Sequence, residues 1–383
     1  MSKTMIYADH AATTAMSSVA YEAMLPWLQN RYGNPSTLYS LARDPRKAVV
    51  QSREVIANAI HANPSEIFFT SGGTEADNWA LKGTLFQHER GKGIITSAIE
   101  HHAILNSCAA LERMGYSINM LPVDHEGVVN ADALRSTLAS NTVLVSVMLA
   151  NNEIGTIEPV AELAHLAHQM GVLFHTDAVQ AYGHIAIDVD DAHIDMNVLQ
   201  VDMLSASAHK FNGPKGIGFL YLRNGVHIAP LLDGGGQERG MRAGTENVAG
   251  IVGMATALQE HMKHMAQETK YLNELSGRLI DRLKQNGIDF RINGSNNRIP
   301  GSLSLSFNAA DGEMLLHRLD LMGTAVATGS ACDSNDSVLS HVIRAISLPP
   351  EYAHGTIRIT LGMDNTVEHV ERIAQQITSI LHH

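Results

Sequence analysis

A lysine set between a β-type run and a glycine-rich turn is the first residue of this chain with chemistry to offer. Lys210 lies in Ser205-Ala206-Ser207-Ala208-His209-Lys210-Phe211-Asn212-Gly213-Pro214-Lys215-Gly216. A lysine there can form an imine once neighbouring cations or burial lower the pKa of its ammonium group. Taken alone, the same segment reads equally as a surface turn. A second candidate, Asp177, follows the apolar run Val172–Thr176 in His175-Thr176-Asp177-Ala178-Val179-Gln180. An acid at the carboxyl end of a buried strand needs a positive or protonated partner, such as a pyridinium nitrogen, unless it simply caps a helix. The third is Thr70-Ser71-Gly72-Gly73-Thr74-Glu75-Ala76-Asp77-Asn78, where a strand gives way to a helix. Such a turn aims backbone N–H groups and a threonine hydroxyl at an anion, with the helix dipole favouring negative charge. Its spacing is neither a dinucleotide fingerprint nor a Walker sequence, which leaves phosphate open.

These groups can act together only if the fold brings them to one place. From about Pro64 to Leu222, β-type runs alternate with helical patterns: Ile67–Thr70, Ile94–Ala98, Ser117–Val123, Thr142–Leu149, Val172–Thr176, Val201–Ser205 and Ile217–Leu222. That alternation predicts an α/β fold with a mostly parallel sheet flanked by helices, and ligands in such sheets bind beyond the carboxyl ends of the strands. Pro159 is placed to open one of the helices, and Gly171 to follow it. From about Asn247 to Gln285 the spacing turns helical, with Leu258, Met262, Met265, Leu272, Leu275, Leu279 and Leu283 at three- and four-residue steps and Gly287 as a stop. Beyond it, strands around Ser302–Asn308, Ala325–Ala327 and Thr356–Leu361, with helices between them, predict a smaller α+β layer.

Composition narrows the function classes. At 383 residues and 45% apolar side chains the chain can bury a large core, and single cores rarely grow past roughly 250–300 residues, so two domains are expected. A net charge of −12 with scattered lysines and arginines provides no electrostatic footprint for direct nucleic-acid binding or for an anionic membrane. Cys108 and Cys332 lie far apart without a metal-ligand spacing, which argues against a disulfide framework or a structural zinc and fits a reducing, cytoplasmic setting. Neither a signal segment nor an apolar run long enough to span a bilayer is evident.

Phosphate turn, aspartate and lysine fall in that order on successive strand ends, and the set resembles the fold-type I pyridoxal-phosphate enzymes. Within them it is similar to the aminotransferase class V family, over nearly the whole chain. The likeness is nearest to the cysteine desulfurases that feed iron–sulfur clusters and thiolated tRNA. It is carried by Ala8-Asp9-His10-Ala11-Ala12-Thr13-Thr14, Tyr32-Gly33-Asn34-Pro35-Ser36, Asn151-Asn152-Glu153-Ile154-Gly155, the run from Gly234 to Thr245, and Gly329-Ser330-Ala331-Cys332.

The resemblance implies a large cofactor-binding domain over 15–257 and a small domain made of 1–14 and 258–383 that carries the cysteine loop. It implies pyridoxal 5′-phosphate as a Schiff base on Lys210, which also moves the substrate α-proton. Asp177 would meet the pyridinium nitrogen, His101 would stack on the ring and take part in proton transfer, and Gln180 would contact the phenolate oxygen. Gly73, Thr74, Ser207 and His209 would hold the phosphate, joined by Thr245 from a second subunit of a homodimer. Asn34, Asn152 and Arg358 would bind the carboxylate of L-cysteine, Arg358 with a bidentate grip, and Asn152 would also border the cofactor.

Cys332 decides the reaction. A thiolate on a polar loop can attack a bound substrate thiol and leave as a persulfide. Cys108, in a helical stretch, reads instead as a small buried apolar residue. Asp333 and Asp336 should raise the pKa of Cys332, so activation must come from elsewhere. The long stretch to Ser340 resembles the group whose cysteine loop is extended and carries sulfur to a separate acceptor protein. Tyr39, Ala42, Ala208 and His10 depart from the family pattern without removing any group named above. The rival readings are a class V aminotransferase, a selenocysteine lyase, or a non-catalytic scaffold of a sulfur pathway.

Overall fold

The computed structural model describes residues 5–88, 92–190, 198–329 and 339–382. Cys332 lies outside them, together with Ser330 and Ala331. After a two-residue strand β1 (Ile6–Tyr7), the seven expected runs form β2 (Ile67–Thr70), β3 (Gly93–Ser97), β4 (Ser117–Leu121), β5 (Thr142–Ser146), β6 (Leu173–Asp177), β7 (Met203–Ser207) and β8 (Gly218–Leu222). They make one sheet in the order β2-β8-β7-β6-β5-β3-β4.

Strands β7, β6, β5, β3 and β4 run parallel, while β8 is antiparallel to both of its neighbours. The reversal has a covalent cause. Residues 208–217, between β7 and β8, are fewer than the roughly one dozen that a parallel crossover requires. Lys210 is therefore carried on a short connection at the end of the sheet.

Neighbouring residues on a strand point to opposite faces, and both faces are covered. Ile94, Leu144 and Met203 pack with Trp79 and Leu85 of the helix Gly73–Phe86. Their neighbours Ile95, Val145 and Leu204 pack on the other side with Ile56, Leu163 and Phe174. This explains why the strands other than the edge strand β4 read as largely apolar runs.

The helix Val248–Gln285 begins where Asn247 accepts from the Gly250 N–H at 3.0 Å. Its first part contributes Ile251, Met254 and Leu258 to the core of the large sheet. Its second part contributes Leu272, Leu275, Leu279 and Leu283 to a separate core, beside Leu303, Leu305, Phe307, Ile357 and Ile359. The strands of this second core are β9 (Phe290–Asn293), β10 (Ser302–Phe307) and β12 (Thr356–Thr360), antiparallel in the order β12-β10-β9. Along β10 the leucines and Phe307 enter that core, while the alternate Ser304 and Ser306 receive hydrogen bonds from Asn293 Nδ2 at 3.0 and 2.8 Å.

The start of the chain is built into this second layer. Strand β1 pairs in parallel with β11 (Thr324–Ala325), and Asp9 bridges to Thr360. No helix among the described residues is long and apolar enough to cross a membrane.

Candidate active site

At the end of β2 the chain turns through Ser71 and Gly72 into the helix Gly73–Phe86. Gly72 adopts φ 153° and ψ −178°, a region open essentially only to glycine. A Cβ on Gly73 would fall 2.5 Å from Val179 Cγ2, so glycine lets the helix start pack directly on the segment after β6. Glu75 fixes the turn from below: its Oε2 accepts from the Ser71 N–H at 2.7 Å, and Arg242 grips the carboxylate at 2.8 and 3.0 Å. Thr74, Ser207, His209 and Lys215 border the hollow in front of this helix start. His209 sets its Nδ1 3.1 Å from Thr13 Oγ1, and burial with the charges of Lys210 and Lys215 lowers its pKa to about 4.

That hollow continues into a cavity of about 300 Å³ lined by Gly73, Thr74, His101, Asn152, Asp177, Gln180, Ser207, His209, Lys210 and Arg358. Ten of the residues singled out in the sequence thus share one wall. They come from the segments that follow β2 and β3, from the ends of β6 and β7 and the segments after them, from β12 and from the turn after β5.

Asp177 ends β6 and is 5% exposed. Its Oδ1 accepts from the Val179 N–H at 2.9 Å in a turn, and no helix starts there, so the capping alternative does not hold. Burial pushes its carboxyl up to about 6, opposed by that hydrogen bond and by the charge of Lys210. Behind it lies a buried polar chain. His175 links Ser146 Oγ at 2.8 Å to Ser205 Oγ at 2.9 Å, and burial lowers its pKa to about 3, which keeps it neutral. Asp77 approaches the same imidazole at 3.8 Å, and burial, with the nearby Asp177 charge, raises its pKa well above the usual carboxylate range.

Lys210 sits in the short turn Ala208–Lys210 after β7. Its Nζ donates to the carbonyls of Ala11 and Ala12 at 2.5 and 3.0 Å, and its own carbonyl meets His184 Nε2 at 2.9 Å. Gln180 Nε2 donates to the same Ala11 carbonyl at 2.8 Å. The N-terminal segment thereby orders both side chains.

His101 caps the helix His102–Arg113 through Nδ1, which accepts from the Ala103 N–H at 3.1 Å. Burial lowers its pKa to about 4, with smaller effects from Lys210 and His102. The neutral ring with an accepting Nδ1 carries its proton on Nε2. Arg358, 6% exposed on β12, donates to Asn152 O at 3.0 Å and to Asp9 Oδ1 at 2.7 Å. Its Nε is buried without a hydrogen-bond partner among the described residues.

Three expected residues are not in this wall. Asn34 uses its Oδ1 to accept from the Ser36 N–H at 2.9 Å. Thr245 is exposed and lines a small hollow that shares Ser71 and Gly216 with the one in front of the helix start. Cys332 is outside the described residues, but Gly329, three positions before it, lines the cavity. The other cysteine behaves as expected: Cys108 is 2% exposed and burial pushes its thiol up to about 12. Residues that the spacing did not reveal also face the cavity, namely Asp77, His102, Glu153 and His341. Asp9 and His184 support it from behind.

The sequence profile described as Aminotransferase class-V matches residues 6–373. The chain belongs to the aminotransferase class-V family. A relative from Dictyoglomus turgidum named cysteine desulfurase IscS is 48% identical over 387 residues, covering 99% of this chain and 96% of that protein. Among solved structures, a NifS-like protein superposes with a TM-score of 0.91 at 37% identity, covering 99% of both chains. A structure described as SspA in complex with cysteine has a TM-score of 0.81 at 34% identity, covering 93% of this chain and 99% of that one.

The cofactor of this class-V enzyme is pyridoxal 5′-phosphate. The donor set fits that group: an amine for an aldehyde, a buried carboxylate for a ring nitrogen, and hydroxyls with an imidazole at a helix start for a phosphate.

Proposed function

We propose that this chain is a cysteine desulfurase, which converts L-cysteine to L-alanine and keeps the sulfur as a persulfide on Cys332. The observation that carries the reading is that Lys210, Asp177 and Gly329 line one cavity, the last only three residues before Cys332. A peptide of that length reaches at most about 10 Å, so the thiol is tethered within range of the cavity. The names of the Dictyoglomus relative and of the cysteine-bound neighbour support the same substrate.

Lys210 would hold the aldehyde carbon, Asp177 the ring nitrogen, His101 one face and Gln180 the phenolate oxygen. Gly73, Thr74, Ser207 and His209 would hold the phosphate. When bound, the cofactor supplies an electron sink that makes the substrate α-hydrogen acidic. Lys210 Nζ, once freed from the aldehyde, takes and returns that proton. Arg358 pairs with the substrate carboxylate, Asn152 borders it, and Asn34 approaches it from the segment after Gly33. The Cys332 thiolate then forms an S–S bond to the substrate sulfur as the C–S bond breaks. The electron pair left on carbon takes up a proton, so that carbon is reduced, sulfur is oxidised, and L-cysteine plus a thiol becomes alanine plus a persulfide.

The same reading divides the chain into a large domain over 15–257 and a small one made of 1–14 and 258–383, supported by the two separate cores. It makes the protein a cytoplasmic homodimer in which exposed Thr245 reaches the phosphate of the other subunit. The sulfur goes on to an acceptor protein of iron–sulfur assembly or tRNA thiolation.

The deciding experiment is Cys332→Ser. Cofactor absorbance should persist while alanine and persulfide formation cease. Alanine at the native yield in that variant rejects the assignment, and a keto acid as the main product favours an aminotransferase.

A further inference from the structure

We propose that Glu153 is a positioning residue whose carboxylate fixes the two points between which the chain bearing Cys332 runs. The inference rests on the desulfurase reading above. Glu153 is itself firmly placed: Asn151 Oδ1 accepts from the N–H groups of Glu153 and Ile154 at 2.8 and 3.0 Å, and Asn151 Nδ2 donates to Ile99 O at 2.9 Å. The side chain is 4% exposed and lines the cavity.

Its Oε2 meets both ends of the stretch. Ser340 Oγ donates to that oxygen at 2.6 Å. A Cβ on Gly329 would fall 2.2 Å from the same atom and 3.2 Å from Ser340 Cβ, so the glycine backbone lies directly against the carboxylate, and any larger residue would displace it. Ser340 is used twice, because its Oγ also accepts from the Val342 N–H at 3.1 Å and starts the helix His341–Ala345. The next residue, His341, is tied to Glu100 O at 3.0 Å and packs its ring 5.0 Å from His102. Upstream, the backbone of Ala327 is paired with Arg358 at 3.1 and 2.6 Å. Gly329 lies two residues beyond that pairing, against the Glu153 carboxylate.

A buried carboxylate needs donors; Ser340 supplies one, and the Gly329 backbone packs against the same oxygen, so one side chain sets the place of both chain ends. Joining the ends at the cavity wall keeps the thiol close to the substrate, and a short tether holds a reactant at an effective concentration in the mM range. Glu153 touches neither the sulfur nor the substrate in this account. It sets how often the thiol arrives.

The test uses the cofactor-loaded enzyme with Glu153→Ala, Ser340→Ala and Ser340→Thr, the last keeping both hydroxyl bonds. Single-turnover persulfide formation should fall about tenfold in the two alanine variants and return in Ser340→Thr. Iodoacetamide should alkylate Cys332 several-fold faster in the alanine variants, with buried Cys108 as the internal control. Cofactor absorbance and KM for L-cysteine should stay at native values in Ser340→Ala. Native transfer and native alkylation in Ser340→Ala overturn the proposal, and that variant decides the matter even where Glu153→Ala loses cofactor. Failure of the desulfurase reading looks different: the unmodified enzyme would form no persulfide on Cys332 at all.

Discussion

Arg358 Nη2 stands 2.7 Å from Asp9 Oδ1, joining residues 349 positions apart in the chain. With its Nη1 on the Asn152 carbonyl and its Nε buried and unpartnered among the described residues, the guanidinium is held in one plane before any substrate arrives. A planar fork so restrained is suited to a carboxylate, and a lysine cannot reproduce it.

Arg358→Lys should therefore raise KM for L-cysteine by about 10- to 100-fold, since a charge-assisted pair is worth roughly 1.5–3 kcal/mol. The cofactor band should be unaffected. Asp9→Asn should weaken substrate binding less and lower unfolding stability by about 1 kcal/mol in urea titrations, because buried Arg358 loses its charged, half-buried partner.

Replacement of Lys210 by Arg keeps a cation near the Ala11 and Ala12 carbonyls but removes the primary amine. The absorbance of the covalently held cofactor should vanish, and turnover should drop by about 10²–10⁴-fold, the usual contribution of a placed proton-transfer group. A variant that retains the band would show that another amine holds the aldehyde.

Gly73→Ala drives a methyl into Val179 and should weaken cofactor binding by about tenfold, a cost on the order of 1.4 kcal/mol, measured by fluorescence titration of the apoenzyme. Ser107→Ala, on the helix behind the cavity, tests whether any packing change nearby does the same. Unchanged affinity in Gly73→Ala would mean that the helix start does not approach the phosphate.

Glu158 is 3% exposed, accepts from the Val129 N–H at 2.9 Å through Oε2 and leaves Oε1 unpartnered among the described residues. Burial, with a smaller push from Asp124, raises its pKa to about 8. The folded state thus holds a proton that the unfolded chain releases above the ordinary glutamate range. The stabilisation is full below about 4.5 and is lost as pH rises through about 8. Glu158→Gln should flatten the fall in unfolding free energy between those limits, by on the order of 1 kcal/mol per pH unit. Urea melts across that window measure it, and an unaltered slope would assign the pH dependence to another group.

The large sheet was legible because most of its strands, all but the edge strand β4, are buried on both faces and read as apolar runs between turns. Strand β9 was not, since Arg291 and Ile292 are exposed on a sheet edge and break the pattern. In the site, Lys210, Asp177 and the Gly72–Gly73 turn stood out because each lies where an apolar run stops. Glu153, His341 and Asp9 did not, although all three fall in or beside motifs visible in the sequence. Their roles depend on which distant segment they meet, as Ser340 meets Glu153 from 187 positions away. Periodicity carries no information about such meetings. Asp77 was hidden for another reason: on a helix an acid ordinarily faces water, and only the packed structure reveals it turned toward His175.

The pairing of β1 with β11, and of Asp9 with Thr360, means that the segment leading to Ala11 and Ala12 is seated only on strands that follow Lys210 in the chain. Without β11 and β12, the segment whose Ala11 and Ala12 carbonyls cradle the lysine amine has no strand to lie against. The turn after β7 alone can thus display Lys210 without orienting its amine. The geometry of the lysine amine is thereby a property of both cores together and not of the large sheet alone.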